Sequence, residues 1–374
     1  MRRRTTLLAC VALALPAALV NWTLALVGIG FLVFIHELGH FLAAKFMGMP
    51  VEIFSLGFGP RLVGFRWRET DVRLSALPLG GFVKLAGFNP EEPGAEDPYG
   101  FLNQPYWKRM LFYSGGILAN LLAALLLLYV ISVDASRTTS ADPVPSPLLV
   151  VQVVPDSPAA QAGLQPGDQI DALGDLAFPS ASDRDAVAYI EARAGQPIPL
   201  SLTRGLDRLA LTIIPRQDGS VGRIGIRFQP TAFNLTRRPL ETQDFLRAVP
   251  VTLKSTWVMG SAVITGFWKL FSLQTGLKEL GGPITILRVS NEAAKAGWIT
   301  LLQMIAFISV NLAVLNALPI PFLDGGHMAI LSFERLRRKD LTIELKERIL
   351  TGGFYFLVSL MALVIALDLW RLKR

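Results

Sequence analysis

Residues 21–46 read NWTLALVGIGFLVFIHELGHFLAAKF, an apolar run that nevertheless contains two histidines and a glutamate. A helix that crosses a lipid bilayer needs about 20 consecutive apolar residues, and this run is long enough. Three further stretches also meet the requirement, and they lie at residues 110–133, 298–318 and 354–370. The sequence therefore predicts a multi-pass α-helical membrane protein with about four transmembrane helices.

The composition of the 374-residue chain agrees with this prediction, since 52% of the residues are hydrophobic and only 17% are charged. A soluble domain has about 45–50% apolar and about 25% charged residues. The net charge is +7, but the basic residues border apolar segments and form no long run flanked by aromatic residues. We therefore expect contact with a lipid bilayer and no binding to nucleic acid. The single cysteine, Cys10, excludes an intrachain disulfide.

Basic residues give the chain an expected orientation in the membrane. Residues 324–349 follow the third apolar stretch and carry six of them: Arg335, Arg337, Arg338, Lys339, Lys346 and Arg348. The positive-inside rule places this segment, a basic loop, in the cytoplasm. With four crossings, residues 48–108 share that side and residues 134–297 lie outside the cell. Within the outer part, residues 241–297 mix aromatic and basic side chains, which favours an amphipathic segment at the membrane interface. Residues 1–20 are expected to form an apolar extension or a signal-like segment.

The polar residues of the first apolar run have the spacing of a metal site. His36 and His40 lie one helical turn apart on the same face, so both imidazoles can reach one zinc ion. Glu37 lies beside them, where a carboxylate can accept a proton from a zinc-bound water. Histidines that merely pack in the core are a weaker explanation, because each ionisable group in a membrane helix costs about 2.5–3.5 kcal/mol unless it has a partner. The pattern predicts a metal site within the membrane.

A third ligand is expected from residues 316–327, which read NALPIPFLDGGH. A catalytic zinc site usually has three protein ligands, and irregular backbone at membrane depth usually lines a cavity. Both Asp324 and His327 are candidates. Asp324 comes directly after the point where the chain leaves the helix, whereas His327 could face the same way only if a helical turn resumed through Gly325 and Gly326. Glycine disfavours such a turn, which favours Asp324.

Two segments have the composition of β-structure. Residues 148–230 contain alternating apolar and polar runs separated by turn residues, and the sequence AGLQPGD at residues 162–168 is similar to a turn of PDZ domains. A generic β-rich linker domain is the alternative. Residues 74–87, LSALPLGGFVKLAG, are apolar and rich in glycine, and they predict a β-hairpin. The fold class expected is thus a multi-pass helical membrane protein with an inserted β-rich PDZ domain, which occupies residues 134–240 together with its linkers.

Taken together, HELGH in the first span, NALPIPFLDGG at the end of the third and the PDZ-like insert resemble the site-2 proteases of the bacterial RseP type. Further similar motifs are GFGP at residues 57–60, LPLGGFVKLAG at residues 77–87 and GGPITI at residues 281–286. The likeness extends from about residue 22 to the end of the chain. Two features depart from the family pattern, namely the longer amino-terminal lead and the single PDZ-like domain where the best-known members have two.

The resemblance implies a role for each matching residue. His36, His40 and Asp324 would bind Zn²⁺, and Glu37 would be the catalytic general base and acid. The residues implied in substrate binding are Asn316, Pro319 and Pro321 in the cleft and Gly80 and Gly81 at the edge of the hairpin. The implied function is intramembrane proteolysis of transmembrane proteins or peptides, such as anti-sigma factors or remnant signal peptides, after a first cleavage. The enzyme would be a multi-pass protein of the cell membrane, with its active site toward the cytoplasm and its PDZ domain outside.

Two other functions are compatible with parts of this pattern. A non-catalytic membrane scaffold could bind peptides through a PDZ domain and hold a structural metal, but Glu37 argues against it because structural zinc sites are normally closed by four ligands. A metal transporter is a weaker alternative, since the sequence shows no inverted repeat.

Overall fold

The computed structural model describes residues 17–88, 95–143, 148–219, 221–229, 233–272 and 281–372. They form two compact units. One consists of residues up to Ser136 and from Thr242 onward, and the other is Arg137–Glu241. The extension expected at residues 1–20 lies mostly outside the described residues. The first helix begins within it, at Ala17.

The first unit contains seven α-helices and one sheet among the described residues. The helices are α1 (Ala17–Phe46), α2 (Tyr106–Ser136), α5 (Thr242–Phe271), α6 (Pro283–Lys295), α7 (Trp298–Ala317), α8 (Asp324–Arg337) and α9 (Ile343–Leu372). Four of them, α1, α2, α7 and α9, are long and apolar enough to cross a membrane. The prediction of a membrane protein with four spans is confirmed, and the fourth helix begins at Ile343, eleven residues before the expected start at residue 354.

Helix α5 covers the segment that was expected to lie at the membrane interface. It is helical throughout despite Pro250, and it is not among the four candidate spans. It packs along α2, where the hydroxyl of Tyr129 donates a hydrogen bond to the carbonyl of Phe245 at 3.2 Å. Its position relative to the bilayer stays a prediction.

The sheet of the first unit consists of two long antiparallel strands, β1 (Val51–Trp67) and β2 (Thr70–Leu85). Both strands fold back on themselves, so that Leu56 lies beside Gly81 on one side and beside Leu74 on the other. The hairpin predicted within residues 74–87 is different in the structure, because the turn lies at residues 68–69 and the two glycines are part of β2. The sheet packs on the end of α1 through a buried cluster that includes Phe41, Phe54 and Leu85.

The basic loop expected at residues 324–349 is mostly helical. Helix α8 begins at Asp324 and runs through Gly325 and Gly326, so the expectation that these glycines prevent a helical turn was wrong. A Cβ atom on Gly325 would lie 2.3 Å from the carbonyl oxygen of Leu318, and one on Gly326 would lie 2.1 Å from that of Ile320. Only glycine permits the start of α8 to lie so close to residues 318–320, and this packing outweighs the poor helix propensity of glycine.

The second unit is the inserted β-rich domain. A six-stranded sheet contains β4 (Leu148–Val153), β5 (Gln169–Leu173), β6 (Leu176–Ala177), β7 (Ile198–Arg204), β8 (Asp207–Ile213) and β11 (Ile226–Phe228), with β11 at one edge beside β4. Its other elements are β3 (Thr138–Pro143), α3 (Pro158–Gln161), α4 (Asp183–Glu191), β9 (Arg216–Asp218), β10 (Val221–Arg223) and β12 (Phe233–Arg237). Strand β7 alternates buried and exposed residues, as its sequence predicts. We call this unit, Arg137–Glu241, the PDZ-like unit.

Candidate metal centre

Three side chains from α1 and α8 meet at one point inside the first unit. Nε2 of His36 lies 3.2 Å from Oδ2 of Asp324, Nε2 of His40 lies 3.4 Å from the same oxygen, and the two nitrogens are 3.3 Å apart. The histidines are four residues apart on α1 and therefore face the same side. Asp324 is the first residue of α8, and the close packing of Gly325 and Gly326 described above fixes its position.

This triangle of donor atoms fits a tetrahedral zinc ion. With bonds of about 2.0–2.1 Å, the ligand atoms of such an ion are separated by about 3.3–3.4 Å. When both imidazoles are neutral and direct the lone pairs of Nε2 at this point, the three acceptor atoms repel one another unless a cation lies between them. Oδ2 of Asp324 is buried and makes no hydrogen bond with normal geometry to another described residue. Two imidazoles and one carboxylate are also a ligand set that leaves one position open.

A hydrogen bond at Nδ1 of His40 determines which nitrogen of its ring carries the proton. Nδ1 of His40 lies 2.8 Å from the backbone oxygen of Phe112, which can only accept a hydrogen bond. Nδ1 must therefore carry the proton, and in the neutral ring Nε2 keeps its lone pair for a metal. The side chain of His40 is only 7% exposed, which holds this geometry away from water.

Glu37 follows His36 on α1 and lies against strand β2. A Cβ atom built on Gly81 would be 2.7 Å from Cγ of Glu37 and 2.9 Å from the backbone oxygen of Ser55. The absence of a side chain at Gly81 thus lets the sheet approach the glutamate. A strand beside a carboxylate is an arrangement in which an extended peptide could lie next to a general base.

His327, the alternative third ligand, lies on the same helix as Asp324 but is not one of the three donors. Its ring stacks on that of Tyr113, with a centroid distance of 4.7 Å and an angle of 5° between the planes. Burial lowers the pKa of His327 below its ordinary value.

The other residues implied in substrate binding lie around the break between α7 and α8. Asn316 is half-buried in the last turn of α7, and Pro319 is exposed just after it. Pro321 packs on α9, where a Cβ atom on Gly353 would lie 2.5 Å from its Cβ. Gly80 and Gly81 lie in β2, as described above. The geometry assigns none of these residues a ligand, so their role in substrate binding stays a prediction.

Sequence reasoning missed one residue at this site, Asn120 of α2. Its amide nitrogen lies 3.2 Å from Nδ1 of His36, and the residue is fully buried. A signal was present in the sequence, because an amide in an otherwise apolar span is costly unless it has a partner.

Comparisons with known proteins give the family of the chain. The family model described as peptidase family M50 matches residues 24–360. A Clostridium perfringens protein is 32% identical over 92% of this chain and 97% of its own length. A protein of a Nostoc species is 34% identical over 88% of this chain and 90% of its own length. The name of each begins "Putative zinc metalloprotease". The crystal structure of the PDZ domain of an SdrC-like protein from Listeria monocytogenes matches 22% of this chain and 86% of its own, with 25% identity and a TM-score of 0.20.

Proposed function

This chain belongs to peptidase family M50, the site-2 proteases, and on that premise we propose that it is a membrane-embedded zinc metalloendopeptidase. The proposed reaction is hydrolysis of peptide bonds within or near the transmembrane segments of other membrane proteins. The observation that carries the proposal is the triangle of donor atoms from His36, His40 and Asp324, whose sides of 3.2–3.4 Å suit zinc. Glu37 adjoins the triangle on the same helix turn.

A zinc ion held by these three residues would supply a Lewis acid and would lower the pKa of a water in its open position to about 7. Glu37 would accept a proton from the attacking water and then deliver it to the nitrogen of the leaving peptide. The hydrogen bond from His40 to Phe112 would keep that imidazole oriented throughout the reaction. Burial of the site would protect the charged groups from bulk water and strengthen their interactions.

A substrate in a membrane must be unwound before it can be cleaved, because a helix hides its carbonyl groups in its own hydrogen bonds. We propose that the sheet beside Glu37 binds the unwound segment by pairing with its backbone near Gly80 and Gly81. Asn316, Pro319 and Pro321 would line the path to the site. Substrates of this kind include anti-sigma factors and remnant signal peptides that a first protease has already shortened.

The proposed orientation follows from the basic residues. Those at the end of α8 and the start of α9 would face the cytoplasm, with the metal site toward that side of the cell membrane and the PDZ-like unit outside. A reagent that cannot cross the membrane should then label a cysteine placed at Asp207 in a variant lacking Cys10, but not one placed at Lys339; both positions are exposed. The reverse labelling pattern would place the PDZ-like unit in the cytoplasm.

The experiment that tests the function is the Glu37→Gln variant of the purified chain. Because the metal donors remain, we expect zinc content equal to that of the wild type, together with loss of cleavage of a single-span substrate. Glu344→Gln, an exposed change on α9, is the matched control and should cleave normally. Normal turnover by Glu37→Gln would remove this residue from the mechanism. Cleavage by a metal-free wild type would refute the zinc protease, and zinc binding without any cleavage would favour the scaffold with a structural metal.

A further inference from the structure

We propose that a cationic cavity at the C-terminal end of α8 binds the phosphate group of an anionic phospholipid. The cavity has a volume of about 800 Å³ and lies between the first turn of α2 and residues 331–340. Its charged lining consists of Arg109, Arg335, Arg338, Lys339, Glu334 and Asp340. Cations thus outnumber acids two to one at this surface.

One of the two acids, Glu334, forms an ion pair with a residue outside the cavity, and its Oε2 has no hydrogen-bond partner among the described residues. Oε1 of Glu334 lies 2.7 Å from Nζ of Lys346 and accepts a hydrogen bond from the backbone nitrogen of Leu341, also at 2.7 Å. Asp340 makes no ion pair with another described residue. The positive charge of the cavity is therefore not balanced from within the described part of the chain.

The cationic side chains of the cavity have no hydrogen-bond or ion-pair partner within the described part of the chain. Nε of Arg109 is buried and has no hydrogen-bond acceptor among the described residues. Arg335 and Lys339 are exposed at the rim, and neither side chain forms an ion pair or hydrogen bond with a described residue. Arg109, Arg335 and Arg338 all line the cavity, and a phosphate oxygen is the type of acceptor that guanidinium groups bind best.

The position of the cavity favours a lipid as the source of the phosphate. Helix α2, a candidate membrane span, begins with Tyr106 and Trp107, and Trp107 is exposed. Aromatic residues next to basic ones mark the level of the lipid headgroups. The positive-inside rule explains why basic residues are abundant here, but it does not require four of them to converge on one cavity. Basic pockets between membrane helices are a known form of headgroup site.

A phospholipid bound in the cavity would stabilise the position of α8, the helix that carries the metal donor Asp324. Helix α8 has 14 residues and is therefore about 21 Å long. It presents Asp324 at its first turn and reaches the cavity at its last. The consequence for the metal centre rests on the proposed function, whereas binding of the headgroup does not.

The test uses the full-length chain purified in a neutral detergent, with phosphatidylglycerol and phosphatidylcholine as the added lipids and native mass spectrometry as the readout. We expect the wild type to retain phosphatidylglycerol in preference to phosphatidylcholine. The Arg335→Gln/Lys339→Gln double variant should bind phosphatidylglycerol at least about tenfold more weakly, because each cation near the headgroup strengthens binding several-fold. Its zinc content should equal that of the wild type, which separates this result from any failure of the protease proposal.

The control is Arg337→Gln/Arg348→Gln, which removes the same charge from α8 and α9 without changing the cavity lining. This variant should bind the lipid like the wild type. Equal binding of phosphatidylglycerol by all three proteins, or equal loss in both variants, would overturn the proposed site.

Inorganic phosphate serves as a further probe. If it raises the thermal unfolding midpoint of the wild type but not of Arg335→Gln/Lys339→Gln, and phosphatidylglycerol adds nothing, the ligand is a soluble phosphate and the lipid assignment is wrong.

Discussion

The side-chain amide of Asn120 lies 3.2 Å from Nδ1 of His36, the ring nitrogen that does not face the other metal donors. Asn120 is fully buried, and Ser309 of α7 donates a hydrogen bond to its backbone oxygen at 2.7 Å. If Nε2 of His36 binds a metal, Nδ1 carries the proton and needs an acceptor. A 180° rotation of the Asn120 amide would place Oδ1 beside Nδ1 of His36, where it could accept this hydrogen bond. Oδ1 would then gain a partner, which it lacks among the described residues.

We therefore predict that Asn120→Ala lowers zinc affinity by about 10- to 100-fold, the usual effect of losing such an outer hydrogen bond. The measurement is zinc retention against a chelator of graded concentration. Asn120→Asp keeps an acceptor and should retain most of the affinity. Asn311→Ala is the matched control, because among the described residues that amide donates to Phe307 of its own helix and to no metal donor. Equal zinc retention by Asn120→Ala and the wild type would exclude Asn120 from the metal centre.

Gly81→Ala should abolish or strongly reduce cleavage while zinc remains bound. The added Cβ would lie 2.7 Å from Cγ of Glu37, so either the glutamate or the strand must move, and a shift of about 1 Å can reduce a rate about 100-fold. Peptide cleavage and zinc content of the purified variant give the two readouts. Gly30→Ala on α1 is the control, since nothing lies within 4 Å of its added Cβ. Full activity of Gly81→Ala would show that the sheet does not constrain Glu37.

The third ligand can be tested by comparing two variants of α8. Asp324→Ala should lose zinc and cleavage, because Oδ2 completes the donor triangle. His327→Ala should keep the zinc, since its ring stacks on Tyr113 instead. Metal analysis of both purified proteins decides between them. Zinc loss in His327→Ala with retention in Asp324→Ala would reverse the assignment.

The parts of the fold that were predictable from sequence depend on local properties. The four spans follow from apolar stretches of sufficient length, and the shared face of His36 and His40 follows from their spacing of four residues. Asn120 was not predicted because its partner is 84 residues away, and no local pattern connects them.

The two pairs of glycines misled the sequence reasoning for a common reason. Gly80 and Gly81 contributed to the prediction of a hairpin within residues 74–87, and Gly325 and Gly326 argued against a helical turn after Asp324. In the structure, Gly81 lets a strand approach Glu37, and Gly325 and Gly326 let α8 begin against the preceding backbone. Glycine marks close approach as well as turns, and which of the two applies depends on contacts that are distant in sequence.

The PDZ-like unit should lose stability in acid through Asp168. Arg204 binds this buried carboxylate with two hydrogen bonds of 2.7 and 2.8 Å and holds its pKa below the ordinary value. The carboxylate therefore stabilises the folded unit above the pKa of the unfolded chain, about 3.9, and the contribution is lost as the pH falls through the lower, folded value. Protection of residues 148–213 from hydrogen exchange in the full chain should therefore decrease as the pH falls below about 4.

Asp168→Asn should be less stable than the wild type at neutral pH and should lack this part of the pH dependence. Asp207→Asn, an exposed change that serves as the control, should behave like the wild type. An unchanged pH profile in Asp168→Asn would exclude this pair as the cause.

Asp368, near the end of α9, caps the first turn of α6 from a distant part of the chain. Its carboxylate accepts hydrogen bonds from the backbone nitrogens of Gly282 and Thr285 at 3.2 and 3.1 Å and from the hydroxyl of Thr285 at 2.7 Å. The helix has no cap from its own N-cap residue, which is a glycine, and the side chain of Asp368 is buried. Asp368→Ala leaves these donors without their acceptor, so we expect a loss of about 1–3 kcal/mol in the free energy of unfolding and faster hydrogen exchange at residues 282–286.

Asp368→Asn keeps one acceptor oxygen without the charge, so its loss of stability should be smaller than that of Asp368→Ala. The thermal unfolding midpoint of the full chain in detergent gives the order of the variants, and Glu344→Ala, an exposed change on the same helix, should leave that midpoint unchanged. Zinc content should stay at the wild-type level in all three, because the cap lies outside the donor triangle. Unfolding of Asp368→Ala at the wild-type temperature, with the amides of residues 282–286 still protected, would contradict this prediction. The contact between α9 and α6 would then not stabilise the chain, and the first turn of α6 would be stabilised by its own packing instead.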